Sequence, residues 1–225
     1  MTIGLAAVLW DMDGTLVDSE RLWDASMAEL AVHLGGELSA ATRAELTGSS
    51  LVRSVSTVRR EVGLDPGDAE AVAADGRWLL DRTAELFRAG LPWQPGAREA
   101  LVAVRASGVA TALVTSTYRE LTEVALESIG REFFDVTVCG DEVAATKPDP
   151  APYRRAAELL GVDPAACVAV EDSATGARSA EAAGATVLVV SSGAPVPAGE
   201  RRVPRPSLVG LTVDELAGLL PATAA

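Results

Sequence analysis

Positive charge is in short supply in this sequence. Its 32 Asp and Glu outnumber its 19 Lys and Arg, for a formal net charge of −13 over 225 residues. A surface of that sign repels nucleic acid and anionic membrane, so neither is expected as a partner. Cysteine is also scarce. Cys139 and Cys167 each lie in an apolar, strand-like run, without the paired Cys/His spacing of a zinc site. They read as buried thiols, not as a disulfide framework or a mark of secretion. The single histidine, His33, falls near a predicted helix end and reads as a capping or surface residue. Aromatics make up only 4% of the chain while Ala, Val and Leu abound, a balance suited to helices packed on a buried sheet. No stretch approaches the length of a membrane span. The first apolar run is short, follows no basic segment and runs straight into carboxylates, which does not fit a signal peptide. The expectation is a cytoplasmic, monomeric protein.

What the chain has in quantity is core-forming residues. A hydrophobic content of 48% and a mean hydropathy of +0.22 argue against intrinsic disorder. The length allows one large domain, or a core domain with a smaller insert. Leu5–Trp10 is apolar throughout, as a strand buried on both faces would be. It runs into Asp11-Met12-Asp13-Gly14-Thr15-Leu16-Val17-Asp18-Ser19. Two carboxylates one residue apart emerge where the strand should end, and Gly14 opens the turn. Like charges this close repel unless a cation or substrate occupies the site, although a bare Asp-x-Asp-Gly also fits an Asx turn with solvated acids.

After Ser19 the apolar period lengthens. The spacing predicts helices over Glu20–His33 and Ala40–Leu46, a third after Gly48-Ser49-Ser50, and a fourth from Pro66 or Gly67 to Arg88. No strand is expected between residues 17 and 89. Beyond Leu91-Pro92-Trp93, strands alternate with helices of about ten residues. The strands are Val109–Val114, Phe134–Cys139, Cys167–Val170 and Thr186–Val190. The helices are Ala97–Ala106, Arg119–Ser128, Pro152–Leu160 and Ala174–Ala183. The Pro-, Gly- and Arg-rich segment Gly193–Pro206 reads as an irregular loop, followed by a short strand near Leu208-Val209 and a helix over Val213–Leu220. The expected fold is α/β, a Rossmann-like doubly wound parallel sheet with an inserted α-helical cap domain. The core takes residues 1–16 and 90–225, and the cap takes 17–89.

Four separate segments put reactive groups just after strands or ahead of a helix. They are Asp11 and Asp13, then Thr115-Ser116-Thr117, then Lys147, then Glu171-Asp172. In a parallel sheet such strand ends converge on one edge. Each has a plainer reading alone: Thr115 as a helix cap, Lys147 as an exposed loop lysine, Glu171-Asp172 as acids at a helix start. Their joint occurrence outweighs those readings. An acidic chain that handles an anion also needs local positive charge, from a metal, a lysine or backbone amides.

In this order, the four segments resemble the motifs of the haloacid dehalogenase superfamily, most of whose members are magnesium-dependent phosphohydrolases. Lys147-Pro148-Asp149-Pro150…Tyr153 and Val170-Glu171-Asp172-Ser173…Gly176…Ala180…Ala183-Gly184 are similar to one subgroup, that of β-phosphoglucomutase and the small sugar-phosphate phosphatases. In that subgroup a helical cap follows the first motif. The resemblance implies that Asp11 attacks phosphorus, and that Asp13 protonates the leaving alcohol and then deprotonates water. It implies Mg²⁺ held by Asp11, Asp172 and the backbone carbonyl of Asp13, with Glu171 beside them binding through water or orienting Asp172. Hard oxygen ligands with open water positions suit Mg²⁺ better than zinc. Thr115 and the amides of Ser116 and Thr117 would bind phosphoryl oxygens, and Lys147 would neutralise the nucleophile and the transferring group.

In the cap, Trp23, Thr47, Gly48, Ser49, Ser50 and Arg53 are the candidates for reading the rest of the substrate. Packing within the cap is the plainer reading of Trp23, and a solvated role the plainer reading of Arg53. Trp23 and Thr47 stand where a mutase-like cap would carry His and Lys, which favours hydrolysis. Asp18–Trp23 is similar to the hexose-phosphate phosphatases instead. The implied function is a Mg²⁺-dependent phosphatase for a small phosphorylated metabolite, a sugar phosphate. The alternatives are a β-phosphoglucomutase-type phosphomutase and a non-catalytic protein that binds a phosphometabolite. Dehalogenation is disfavoured because Asp13 supplies the leaving-group acid, and phosphonate cleavage because the cap has no lysine for a Schiff base.

Overall fold

A computed structural model of the chain describes residues 4–46, 49–191 and 195–221. Two of the cap candidates, Thr47 and Gly48, lie outside the described residues. In chain order the elements are β1 (Ala7–Trp10), α1 (Glu20–His33), α2 (Ala40–Leu46), α3 (Leu51–Glu61), α4 (Ala69–Ala89), α5 (Ala97–Ser107), β2 (Ala110–Val114), α6 (Arg119–Ile129), β3 (Val136–Val138), α7 (Ala151–Leu160), β4 (Cys167–Glu171), α8 (Ala174–Ala183), β5 (Thr186–Val190), β6 (Arg202–Arg205) and α9 (Val213–Gly218). They form two compact units, Met1–Asp18 with Pro92–Ala225, and Ser19–Leu91. None of the described helices is long and apolar enough to cross a membrane.

The first unit carries a six-stranded parallel sheet in the order β3-β2-β1-β4-β5-β6. The chain winds from β1 outward to β3, returns to place β4 against the other side of β1, and then winds outward to β6. The switch point therefore lies between β1 and β4, where the loops after the two strands part in opposite directions and open a crevice. Having neighbours on both sides, β1 is buried at all four positions, and Ala-Val-Leu-Trp meets that with side chains whose one polar atom is the Trp10 indole nitrogen. The register sets Trp10 opposite both Leu113 of β2 and Val170 of β4, so the chain leaves all three strands at about the same level.

One face of the sheet, with Leu9, Ala112, Val114, Cys167 and Ala169, packs on Tyr153 and Ala156 of α7 and on Ala177 and Ala180 of α8. The many alanines let the helices approach closely. Cys139 and Cys167 are free and buried, and burial pushes their thiols up to about 11 and about 12. The second unit, helical throughout its named elements, encloses a cluster of Met27, Leu30, Leu46, Val55, Val58 and Leu79. Arg59, nearly buried there, pairs with Asp75 at 2.5 Å and donates to the Asp65 carbonyl at 2.8 Å. Ser39, Ser50 and Asp68 cap α2, α3 and α4 through their side-chain oxygens.

The segment expected as loop over Gly193–Pro206 contains an edge strand instead: β6 pairs in parallel with β5, from Val187 opposite Arg202 to Val190 opposite Arg205. Pro204 and two arginines conceal it in the sequence. At an edge a proline costs little, because no further strand needs its N–H. Leu208-Val209, expected as the strand, lies in a bend and turn. The backbone there abuts Gly96, the residue before α5, whose φ is +81°. A Cβ on Gly96 would stand 2.3 Å from the Val209 nitrogen and 2.4 Å from the Leu208 carbonyl carbon. Gly161, after α7, has φ +68° and open space around it. Gly161→Ala should cost about 1–2 kcal/mol of left-handed strain alone, and Gly96→Ala at least about 2 kcal/mol more, by denaturant unfolding. Equal losses for the two variants would show that Leu208-Val209 is not held against α5.

Candidate active site

Asp11 is the first residue beyond β1, and its N–H donates to the Val170 carbonyl of β4 at 3.0 Å. That bond ties the β1 exit to the strand that delivers Glu171 and Asp172. The next turn is tight: the amides of Leu16 and Val17 donate to the Met12 carbonyl, and that of Gly14 to the Val17 carbonyl. Gly14 has φ +82°, and a Cβ there would fall 2.2 Å from Asp172 Oδ2. Only glycine fits a left-handed position in such close approach to a carboxylate. Thr15 Oγ1 donates to Asp172 Oδ1 at 3.2 Å, so this turn also orients the β4 acid.

Lys147 reaches the same place from the loop before α7, through a cis peptide bond to Pro148. Its ammonium donates to Asp11 Oδ1 at 2.6 Å, Glu171 Oε1 at 2.6 Å and the Val114 carbonyl at 2.8 Å. Three protons meet three acceptors. Burial by itself pulls the ammonium pKa down, but the carboxylates of Asp11 and Glu171 more than reverse this, leaving it above the ordinary lysine value. For Asp11, burial and then the Glu171 carboxylate push the pKa well above the aspartate range, with Lys147 opposing them. One carboxylate oxygen each from Asp11, Glu171 and Asp172 lie within 4.8 Å of one another, and all three residues are buried. Three carboxylates around one ammonium leave a surplus of negative charge in little water. An all-oxygen donor set with that surplus fits a hard divalent cation.

Glu171 is the last residue of β4 and fully buried. Tyr153 of α7 donates its hydroxyl to Glu171 Oε1 at 2.5 Å, and Ser173 donates to Oε2 at 3.1 Å. Burial, then the Glu171 charge, hold the Tyr153 phenol well above its usual pKa, so it stays a donor. The Tyr153 ring also lies beneath the ammonium, 5.1 Å from Lys147 Nζ to the ring centroid. Gly176 gives Glu171 its room, since a Cβ there would fall 2.0 Å from both carboxylate oxygens. Tyr153 and Gly176 belong to matched motifs, yet the sequence assigns them no role. What they do depends on α7 and α8 packing against the end of β4.

Asp13 is placed differently from the other acids. Its Oδ2 accepts from Thr115 Oγ1 at 3.2 Å and Thr117 Oγ1 at 2.8 Å, and its carboxylate is not one of the clustered three. The Thr117 amide, expected to face a phosphoryl group, donates to Thr115 Oγ1 at 3.0 Å. Ser116 is exposed at the turn, its carbonyl against Gly140.

The cap candidates lie in the helical unit. Trp23 meets Phe87 edge-to-face at 6.5 Å and packs on the apolar cluster of that unit. Ser49 Oγ and Ser54 Oγ are 2.5 Å apart, Ser50 caps α3, and exposed Arg53 pairs with Glu45 at 3.3 Å. His33 stacks on Trp78 at 4.6 Å.

The haloacid dehalogenase-like hydrolase family model matches residues 5–184. The chain belongs to this family. It is 35% identical over 224 residues to the plasmid phosphoglycolate phosphatase of Cupriavidus necator, covering 98% of this chain and 95% of that one. It is 30% identical over 222 residues to hexitol phosphatase B of Escherichia coli O157:H7, covering 95% and 97%. The crystal structure of CbbY from Rhodobacter sphaeroides in complex with xylulose-1,5-bisphosphate superposes with a TM-score of 0.82 at 28% identity, covering 94% of this chain and 99% of that one. The hydrolase fold and subgroup implied by the four motifs are thus those of the chain.

Replacing Tyr153 by Phe keeps the ring and removes one donor from a buried carboxylate. Thermal or denaturant unfolding of Tyr153→Phe should show a loss of about 1.5–3 kcal/mol. An unchanged midpoint would mean that the hydroxyl does not hold Glu171.

Proposed function

We propose that this chain is a Mg²⁺-dependent phosphatase that hydrolyses a small phosphorylated metabolite, a sugar phosphate, through an aspartyl-phosphate on Asp11. The observation that carries this reading is the grouping of Asp11, Lys147, Glu171 and Asp172 at the β1/β4 switch point, with a lysine bond of 2.6 Å to the nucleophile. Asp11, Asp172 and the Asp13 carbonyl would hold Mg²⁺. Glu171, whose oxygens accept from Lys147, Tyr153 and Ser173, would anchor the lysine. When bound, the metal supplies positive charge that lets an anionic carboxylate approach a phosphoryl dianion.

The protein's own groups then act in two balanced steps. An Asp11 oxygen bonds to phosphorus as the ester P–O bond breaks, and protonated Asp13 gives its proton to the departing alkoxide. Asp13, now a carboxylate, takes a proton from water as that water attacks the phosphorus. The bond to Asp11 breaks, and inorganic phosphate leaves with Asp11 and Asp13 restored. The Thr115 hydroxyl donates its hydrogen bond to Asp13, so the Ser116 amide would donate to the phosphoryl oxygens, and Lys147 would draw charge from them as it does from Asp11.

The substrate class draws support from the relatives named as hexitol and phosphoglycolate phosphatases. Hydrolysis over mutase chemistry draws support from the sequence, where Lys147 is the only lysine and the cap therefore has no ammonium for a second phosphate. Phosphate release from a panel of sugar and polyol phosphates should need Mg²⁺, stop with chelator and return on adding metal. Asp11→Asn should lower kcat by at least about a thousandfold. Undiminished turnover by Asp11→Asn would overturn the proposal, and conversion of β-glucose 1-phosphate to glucose 6-phosphate would favour the mutase.

A further inference from the structure

We propose that Thr117 is a positioning residue for Asp13, its hydroxyl fixing which carboxylate oxygen carries the proton to the leaving group. This rests on the phosphatase reading and assigns Thr117 a role other than phosphoryl binding. Every polar group of Thr117 is engaged inside the protein. Its amide donates to Thr115 Oγ1 at 3.0 Å, and its carbonyl accepts from the Gly140 amide at 3.0 Å. Its hydroxyl donates to Asp13 Oδ2 at 2.8 Å. Thr115 Oγ1, which takes the amide proton, donates onward to the same Asp13 oxygen at 3.2 Å. The bonds of Thr117 to Thr115 and to Asp13, and of Thr115 to Asp13, close a ring in which one residue grips the acid directly and also orients the second hydroxyl that grips it. The residue is buried, and branching at Cβ restricts its rotamers.

Two hydroxyl donors converging on Oδ2 fill its lone-pair directions, so that oxygen is the carbonyl-like one of protonated Asp13. The proton then belongs on Oδ1. In the first step the Oδ1–H bond breaks, the leaving oxygen gains that proton, and Oδ2 keeps both threonine bonds. Without the Thr117 hydroxyl the carboxyl group can rotate, and either oxygen can carry the proton. In this first step, which kcat/KM reads, the cost falls only on substrates whose leaving group needs a proton; the later attack of water, where Asp13 acts as base, is common to every substrate.

Leaving-group dependence therefore reads the role. Thr117→Val keeps the amide and the branched shape while removing the hydroxyl, Thr117→Ser keeps the hydroxyl, and Thr117→Ala is the smaller alternative should Val not fold. The probes are glycerol 2-phosphate, whose alkoxide must be protonated, and 2,4-dinitrophenyl phosphate, whose phenolate leaves without a proton. With Mg²⁺ present, Thr117→Val should lose about tenfold to a hundredfold in kcat on the alkyl ester, with KM little changed. On the aryl ester the loss in kcat/KM should stay under about threefold, and Thr117→Ser should restore the alkyl activity. Equal losses on both esters, a KM rise without a kcat loss, or no loss on either would overturn the assignment. Wild-type protein inert on both esters would refute the phosphatase reading itself, and the assignment with it.

Discussion

The constraint on which the rest depends is a surplus of negative charge in a nearly dry site. Asp11, Glu171 and Asp172 are all buried, and the one ammonium among them belongs to Lys147. Isolated, any of these charges would cost several kcal/mol to bury. What makes burial tolerable is that the groups are partnered. Lys147 meets three acceptors, Glu171 three donors, and Asp172 accepts from Thr15. The remaining imbalance is what a divalent cation would relieve.

The fold supplies this cluster through topology rather than through local sequence. Because the chain reverses its winding between β1 and β4, the acids that follow those two strands become neighbours although 157 positions separate Thr15 from Asp172. Glycine sets how near the elements can come. A side chain at Gly14 would collide with Asp172 and one at Gly176 with Glu171, so each carboxylate occupies space that a Cβ would take. The same loops turn Asp13 away toward the threonines after β2, apart from the three clustered carboxylates.

Much of this was legible in the sequence, for a physical reason. Strands buried on both faces must be apolar, so Ala7–Trp10 and Cys167–Val170 stand out, and a carboxylate directly after either is conspicuous. Helix ends at Gly108, Gly161 and Gly184 are marked by left-handed glycines, and the corresponding helices begin and end within a residue of expectation. Less was visible where function depends on packing. Tyr153 looks like one more apolar position of α7, beside Ala156 and Ala157, and only the fold brings its hydroxyl to Glu171. β6 was missed because Arg-Val-Pro-Arg carries no strand signal, and its pairing comes from β5 presenting a free edge. Trp23 was ambiguous between substrate and core, and its place against Phe87 belongs to the helical packing. One signal was there to be used: a chain with a single lysine keeps it beside its most buried acids.

The proposed chemistry stands on Asp11, an anion made tolerable by Lys147 and a cation, forming a covalent bond to phosphorus. Its most direct test is to quench the Mg²⁺-supplemented protein with acid during turnover of an aryl phosphate, reduce it with borohydride and map the peptides by mass spectrometry. An acyl phosphate is reduced to the alcohol, so the account predicts homoserine in place of aspartate at position 11. Unmodified Asp11 during demonstrated turnover, or reduction at Asp13 or Asp172 instead, would contradict it.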